Sequence, residues 1–108
     1  MRAILGRLHD EGSEWAQAVS GVLAQRSPTA LAVTFALFRR GATMTLRECL
    51  RTELRLGRTM LSFPDFAEGV RAAVVDKDRR PRWSPPSIDE IDEATIARIV
   101  DDAASGEG

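Results

Sequence analysis

A chain of 108 residues, 44% hydrophobic and 29% charged, can build one small core and falls outside disordered, collagen-like and membrane-spanning compositions. Fifteen basic against sixteen acidic side chains leave a net charge of −1, which argues against nucleic acid as a partner, and no apolar run approaches the ~18 residues of a membrane span. One cysteine and one histidine exclude an internal disulfide and a Cys/His metal site, so a reducing, cytoplasmic setting is the expectation.

The opening MRAILGRLHDEG has too short an apolar run and too early an acid for a secretory signal. Apolar positions recur at three- and four-residue steps throughout, which predicts an all-α chain of about five to six helices. The first helix covers Arg2 to His9 and ends at a turn on Gly12. Ser13 caps a second helix, whose Trp15, Val19, Val22 and Leu23 share a face expected to be buried. Ser27-Pro28 starts a third, with serine as cap and proline in the first turn. Its body, Ala30 to Phe38, is apolar nearly all round and needs cover on more than one side before Gly41 stops it.

Thr45 and Glu48 have capping-box spacing, so a fourth helix should run from Leu46 to about Ser62, with Leu46, Cys49, Leu50, Leu54 and Leu61 as its buried stripe. Pro64 interrupts it, and Asp65 with Glu68 is expected to repeat the capping logic for a fifth helix, Phe66 to about Val75. Residues 76–86, DKDRRPRWSPP, read as an ordered loop anchored by Trp83. Ser87 and Glu90 can cap a short turn, Ile96, Ile99 and Val100 mark a last helix, and residues 104–108 are expected to fray.

Arg47, Arg51, Arg55 and Arg58 line one side of the fourth helix and repel one another unless something neutralises them. A solvated face paired with Glu48 and Glu53 is one reading, and a phosphate or acidic-partner site is the other. The basic run Lys77, Arg79, Arg80, Arg82 can pair with the acidic tail through Asp89, Glu90, Asp92, Glu93, Asp101 and Asp102, or capture an anion. Cys49 reads as a structural thiol and His9 as a surface imidazole at a helix end, while Trp15, Phe35, Phe38 and Phe66 read as core. No phosphate loop, nucleophile elbow or metal-ligand pair is present, so no catalytic and no metal residue is assigned.

The stretch DFAEGVRAAVVDKDRRPRW, Asp65 to Trp83, resembles the C-terminal signature of the 3-hydroxyisobutyryl-CoA hydrolase branch of the crotonase (enoyl-CoA hydratase/isomerase) superfamily. SPTAL, from Ser27, and TLRECLRTELRL, from Thr45, resemble the same family in the same order. Hydratases of the superfamily carry a segment like FLEKRxPxF where this chain has DKDRRPRW, which favours the hydrolase branch over the hydratase branch.

The resemblance implies that residues 1–108 are the C-terminal helical subdomain of a crotonase-like fold. The sheet core, oxyanion hole and catalytic acids would lie N-terminal to Met1, so the chain would not be catalytic alone. Its implied partners are its own N-terminal core or other subunits. It implies no cofactor beyond the CoA moiety of the substrate. Lys77 holds the position of the hydratase lysine that sits near the CoA nucleotide, although Ala73 or Val74 replaces the aromatic that accompanies it there. The plain reading is that Lys77 only ends the fifth helix between Asp76 and Asp78. A freestanding helical module, self-associating through Ala32, Phe35 and Ala36 of the third helix, is the alternative from a different class.

Overall fold

The computed structural model describes residues 1–105, and they contain helices and turns but no strand. Six α-helices follow in order: α1 Arg2–Glu11, α2 Glu14–Ala24, α3 Pro28–Gly41, α4 Leu46–Leu61, α5 Pro64–Val70 and α6 Glu93–Ser105. A π-helical turn, Arg71–Val75, continues α5, and a 3-10 turn, Ile88–Glu90, precedes α6. The starts are set by local hydrogen bonds that the sequence announces. Ser13 Oγ accepts from the Ala16 amide at 3.1 Å, and Ser27 Oγ from the Ala30 amide at 3.2 Å. Thr45 and Glu48 close their capping box through 3.0 and 3.2 Å bonds. Gly12 ends α1 in the left-handed region, at φ 66.

The core lies where α6 packs against both α3 and α4, with Val33, Leu56, Ile96, Val100 and Ala103 buried there and Ile91 closing one end. It is a small core. The radius of gyration is 15.1 Å, where a compact chain of this length has about 13 Å. The exposed area is 7743 Å², where a compact monomer of 11.9 kDa exposes about 6,000 Å². The excess surface is concentrated on particular helix faces.

The fourth helix carries the largest departure from expectation. It buries Thr52 and Leu56, whereas Leu46 is 75% exposed and Leu50, Leu54 and Leu61 are 58–60% exposed. Only Cys49 of the predicted stripe is half-buried, with Sγ 3.7 Å from where a Gly41 Cβ would stand. The helix therefore has two apolar faces, a narrow one on α6 and a leucine row facing outward. Ala16 alone is buried on α2, while Trp15 and Val22 lie exposed on a helix whose main packing partner is α1. On α3, Val33 is buried and Ala32, Phe35 and Ala36 are half-buried, whereas Phe38 is 75% exposed. The third helix is thus covered along one side by α6, and Arg39 lies over the Phe35 ring at 5.8 Å. Phe66, expected in the core, is exposed on α5.

Two charge expectations also change. Glu48 and Glu53 form no ion pair within 4.0 Å among the described residues, and Arg55 turns inward to donate to the Ala103 carbonyl at 3.2 Å. The acidic tail pairs with Arg2, through Asp89 and Glu93, and with Arg40, through Asp101 at 2.6 Å, rather than with the basic loop. Ala104 and Ser105 belong to α6 and are not frayed, while residues 106–108 of the expected tail lie outside the described residues.

Candidate functional site

The α5 start is built differently from a second capping box. Phe63 is the N-cap residue and gives no side-chain bond, so Asp65 sits inside the first turn, 6% exposed, with its carboxylate free for tertiary use. It accepts from Ser27 Oγ and, at 2.7 Å, from the Ser84 amide. One buried carboxylate thereby ties α3 to α5 and to the extended strap of residues 77–86.

Trp83 completes the anchoring of the strap. Its indole donates to the Gln25 carbonyl at 3.0 Å, and its ring edge stands 3.4 Å from where a Gly69 Cβ would lie. An added methyl at position 69 would meet the ring at van der Waals contact.

Where the helix runs out, the chain makes a π turn and then two left-handed residues, Lys77 and Arg79, both at φ 56. Non-glycine residues in that region cost on the order of 1 kcal/mol each and persist where surrounding bonds impose them. Here the imposing group is Arg71. Its guanidinium forks onto both oxygens of Glu68 at 2.7 and 2.8 Å and reaches Asp76 and Asp78, each at 2.8 Å. Glu68 Oε2 also accepts from the Arg82 amide at 2.7 Å, and Asp78 from the Arg80 amide at 2.9 Å.

The bonds from Arg71, then from the Arg82 amide, hold the Glu68 carboxyl at about 2, against an ordinary 4.5. Arg71 likewise holds the Asp78 carboxyl low, aided by the Arg80 amide. The reciprocal bonds raise the Arg71 guanidinium, Glu68 contributing most.

Because the folded-state value of Glu68 is depressed, its contribution to stability is complete above about 4.5 and lost as pH falls toward 2. Glu68→Gln is therefore expected to lower the urea midpoint at pH 7 and to flatten its decline between pH 5 and about 2.5. A parallel decline in both proteins would assign acid sensitivity elsewhere.

Lys77, the one predicted ligand contact, ends the helix by its backbone, while its exposed side chain has no hydrogen bond or ion pair among the described residues. The flanking Asp76 and Asp78 both point to Arg71 instead. Sequence reading missed Arg71 as the hub. Its acids at −3, +5 and +7 were visible, but only the π turn brings the last two beside the first. His9 is exposed in the last turn of α1, and no group of three or more His, Cys, Asp or Glu among the described residues could hold a metal.

The outward leucine row gives the molecule a second notable surface. It is bordered by Arg47, Arg51 and Arg58, exposed and without ion pairs among the described residues, so an apolar strip meets a cationic band along α4.

Comparison with known proteins gives this surface its context. Residues 1–100 match the enoyl-CoA hydratase/isomerase family. The chain is 46% identical, over 80% of its length, to the mitochondrial 3-hydroxyisobutyryl-CoA hydrolase of Dictyostelium discoideum, of which it covers 23%. It is 38% identical, over 86% of its length, to the human protein of the same name, covering 24% of it. It is 39% identical, over 82% of its length, to the 3-hydroxyisobutyryl-CoA hydrolase-like protein 5 of Arabidopsis thaliana, again covering 24%. The chain thus spans about a quarter of the length of these relatives. With its helices and turns alone, the chain belongs to the enoyl-CoA hydratase/isomerase (crotonase) family, of which it represents the C-terminal helical region.

Proposed function

We propose that these helices are the cover of a 3-hydroxyisobutyryl-CoA hydrolase-like enzyme, seated on a crotonase core that performs thioester hydrolysis in branched-chain amino acid breakdown. The observation that carries this reading is the outward leucine row of α4, more than half exposed at every member. A row of that size is a docking face and not a scatter of surface leucines. The relatives are about three and a half times the length of the chain, enough to supply a neighbour for this face.

Seated there, the helices exclude water from the acyl-CoA site and help to hold its oxyanion donors in place. The names of the relatives favour hydrolysis over hydration. Release of CoA thiol from 3-hydroxyisobutyryl-CoA, set against hydration of an enoyl-CoA, decides between the two in the assembled enzyme.

Lys77 is the proposed contact to a CoA phosphate. In the assembled enzyme, Lys77→Ala is expected to raise KM for the thioester about fivefold with kcat unchanged, the signature of uniform binding lost. Lys77→Gly separates this from a helix-ending role, because glycine adopts φ 56 without strain. It should reproduce the KM effect while stability holds or rises by up to about 1 kcal/mol. An unchanged KM in both variants would leave the lysine as a helix terminator.

No described helix is long and apolar enough to cross a membrane. We propose cytoplasmic residence, with the mitochondrial location in several relatives' names as the alternative that cell fractionation distinguishes.

A further inference from the structure

Viewed down its axis, α4 divides into strips. Thr52 and Leu56, with the half-buried Cys49 and Met60, form the inner one. Leu46, Leu50, Leu54 and Leu61 form the outward one, and Arg47, Arg51 and Arg58 follow within roughly 60° of it on one flank only. The opposite flank carries Glu53 and leads back to Met60 and the core. Arg55, next round the helix from the three arginines, is turned inward to the Ala103 carbonyl.

Arg47 and Arg51 stand one turn apart, and Arg58 two turns further on, a row of like charges that repel until something neutralises them. No acid of α4 does so. Glu48 accepts from the Thr45 amide in the capping box, and Glu53 lies across the leucine row. Cation and apolar strip therefore run edge to edge, and any surface seated on the leucines brings its own edge against three guanidiniums. An apolar edge would strip water from them without replacing its bonds, and a basic edge would repel them.

The same pattern disfavours two other occupants. A second copy of the chain brings one acid beside its leucine row, Glu53, against three arginines. An anionic membrane would press on both flanks of the strip, and one of them carries that glutamate.

We propose that the surface receiving α4 is an apolar helical face edged with carboxylates along one side, the side that meets Arg47, Arg51 and Arg58. This rests on the docking role proposed above and adds the partner's chemistry and direction. Turned end for end, the partner would set its acids against Glu53, so the seat accepts one orientation.

The test presents the 108-residue chain with three helical peptides that share a leucine face and carry glutamate, glutamine or lysine along one edge. Fluorescence anisotropy should show the glutamate peptide bound about tenfold more tightly than the lysine peptide at about 0.05 M salt, with glutamine between them. At about 0.5 M salt the difference should fall below about threefold. The triple replacement Arg47→Glu, Arg51→Glu, Arg58→Glu should reverse the order of the peptides, and Arg47→Gln, Arg51→Gln, Arg58→Gln should abolish the preference. None of the three side chains bonds to the fold among the described residues, so both variants should keep the helical circular dichroism of the unaltered chain. Leu50→Asp with Leu54→Asp should remove binding of the glutamate peptide, which locates it on this strip.

Equal affinity for the glutamate and lysine peptides overturns the proposal, as does a preference that the triple glutamate variant leaves unchanged or binding that survives the aspartates. No binding of any peptide, or tighter binding to phosphatidylserine vesicles than to the glutamate peptide, overturns it too. The peptides contain no part of a hydrolase core, so these outcomes remove the acidic edge and leave docking of the leucine row on a core to be decided by reconstitution.

Discussion

The double replacement Leu50→Asp, Leu54→Asp is expected to leave the isolated chain folded while weakening its docking on a crotonase core at least about 100-fold. Both leucines are 58–60% exposed and make no part of the α3–α4–α6 core, so the fold loses little beyond helix propensity, about 0.5 kcal/mol per site. The new carboxylates stand beside Arg47, Arg51 and Arg58, which removes cationic repulsion along the helix. On docking the balance reverses. Each leucine contributes on the order of 1–2 kcal/mol when its exposed area is covered, and each aspartate must instead be stripped of water against an apolar surface.

Leu56→Ala supplies the contrast. At 4% exposure it faces α6, and its loss should cost the isolated chain about 2–4 kcal/mol. Circular dichroism melts of the three proteins show whether the helix has the two faces described. If the leucine row were instead a self-association surface, the aspartates would convert an oligomer into a monomer by light scattering.

Asp65→Ala should produce the largest loss of stability available from a single polar side chain, about 3 kcal/mol in urea unfolding. The carboxylate is buried and accepts from both Ser27 Oγ and the Ser84 amide, and bonds to a charged acceptor contribute roughly 1.5–3 kcal/mol each. Removing it leaves both donors without that partner. For a chain of this size, with total stability of about 5–15 kcal/mol, the loss is a large fraction. Asp65→Asn, which keeps one carbonyl oxygen, should lose about half as much. Hydrogen exchange at Ser84 should rise in both, because the strap is released from α3.

Element boundaries were legible because they are local. Ser13, Ser27 and Thr45 announce their helices through a cap oxygen, and the structure places each bond where the residue types require. The direction of burial in α4 was not legible. The leucine spacing reports a demand for burial without saying what meets it, while the core-facing side is marked by Thr52, Leu56 and the partly buried Met60. The apolar third helix calls for cover on more than one side, and α6 supplies one side, whereas the larger uncovered apolar face lies on α4. The Arg71 hub was hidden for another reason. A π turn leaves no compositional trace, so nothing in DKDRR tells that Asp76 and Asp78 return to Arg71, five and seven residues back. Asp65 was misread because capping spacing and tertiary bonding use the same residue type.

The most direct test mixes the chain with the part of the Dictyostelium discoideum hydrolase that lies outside its matched segment. Hydrolysis of 3-hydroxyisobutyryl-CoA is then followed by release of the CoA thiol. Turnover is expected only in the mixture, and not when the chain carries Leu50→Asp and Leu54→Asp. Failure of the two pieces to associate, or equal turnover with the aspartate variant, would contradict a docking role for the leucine face of α4.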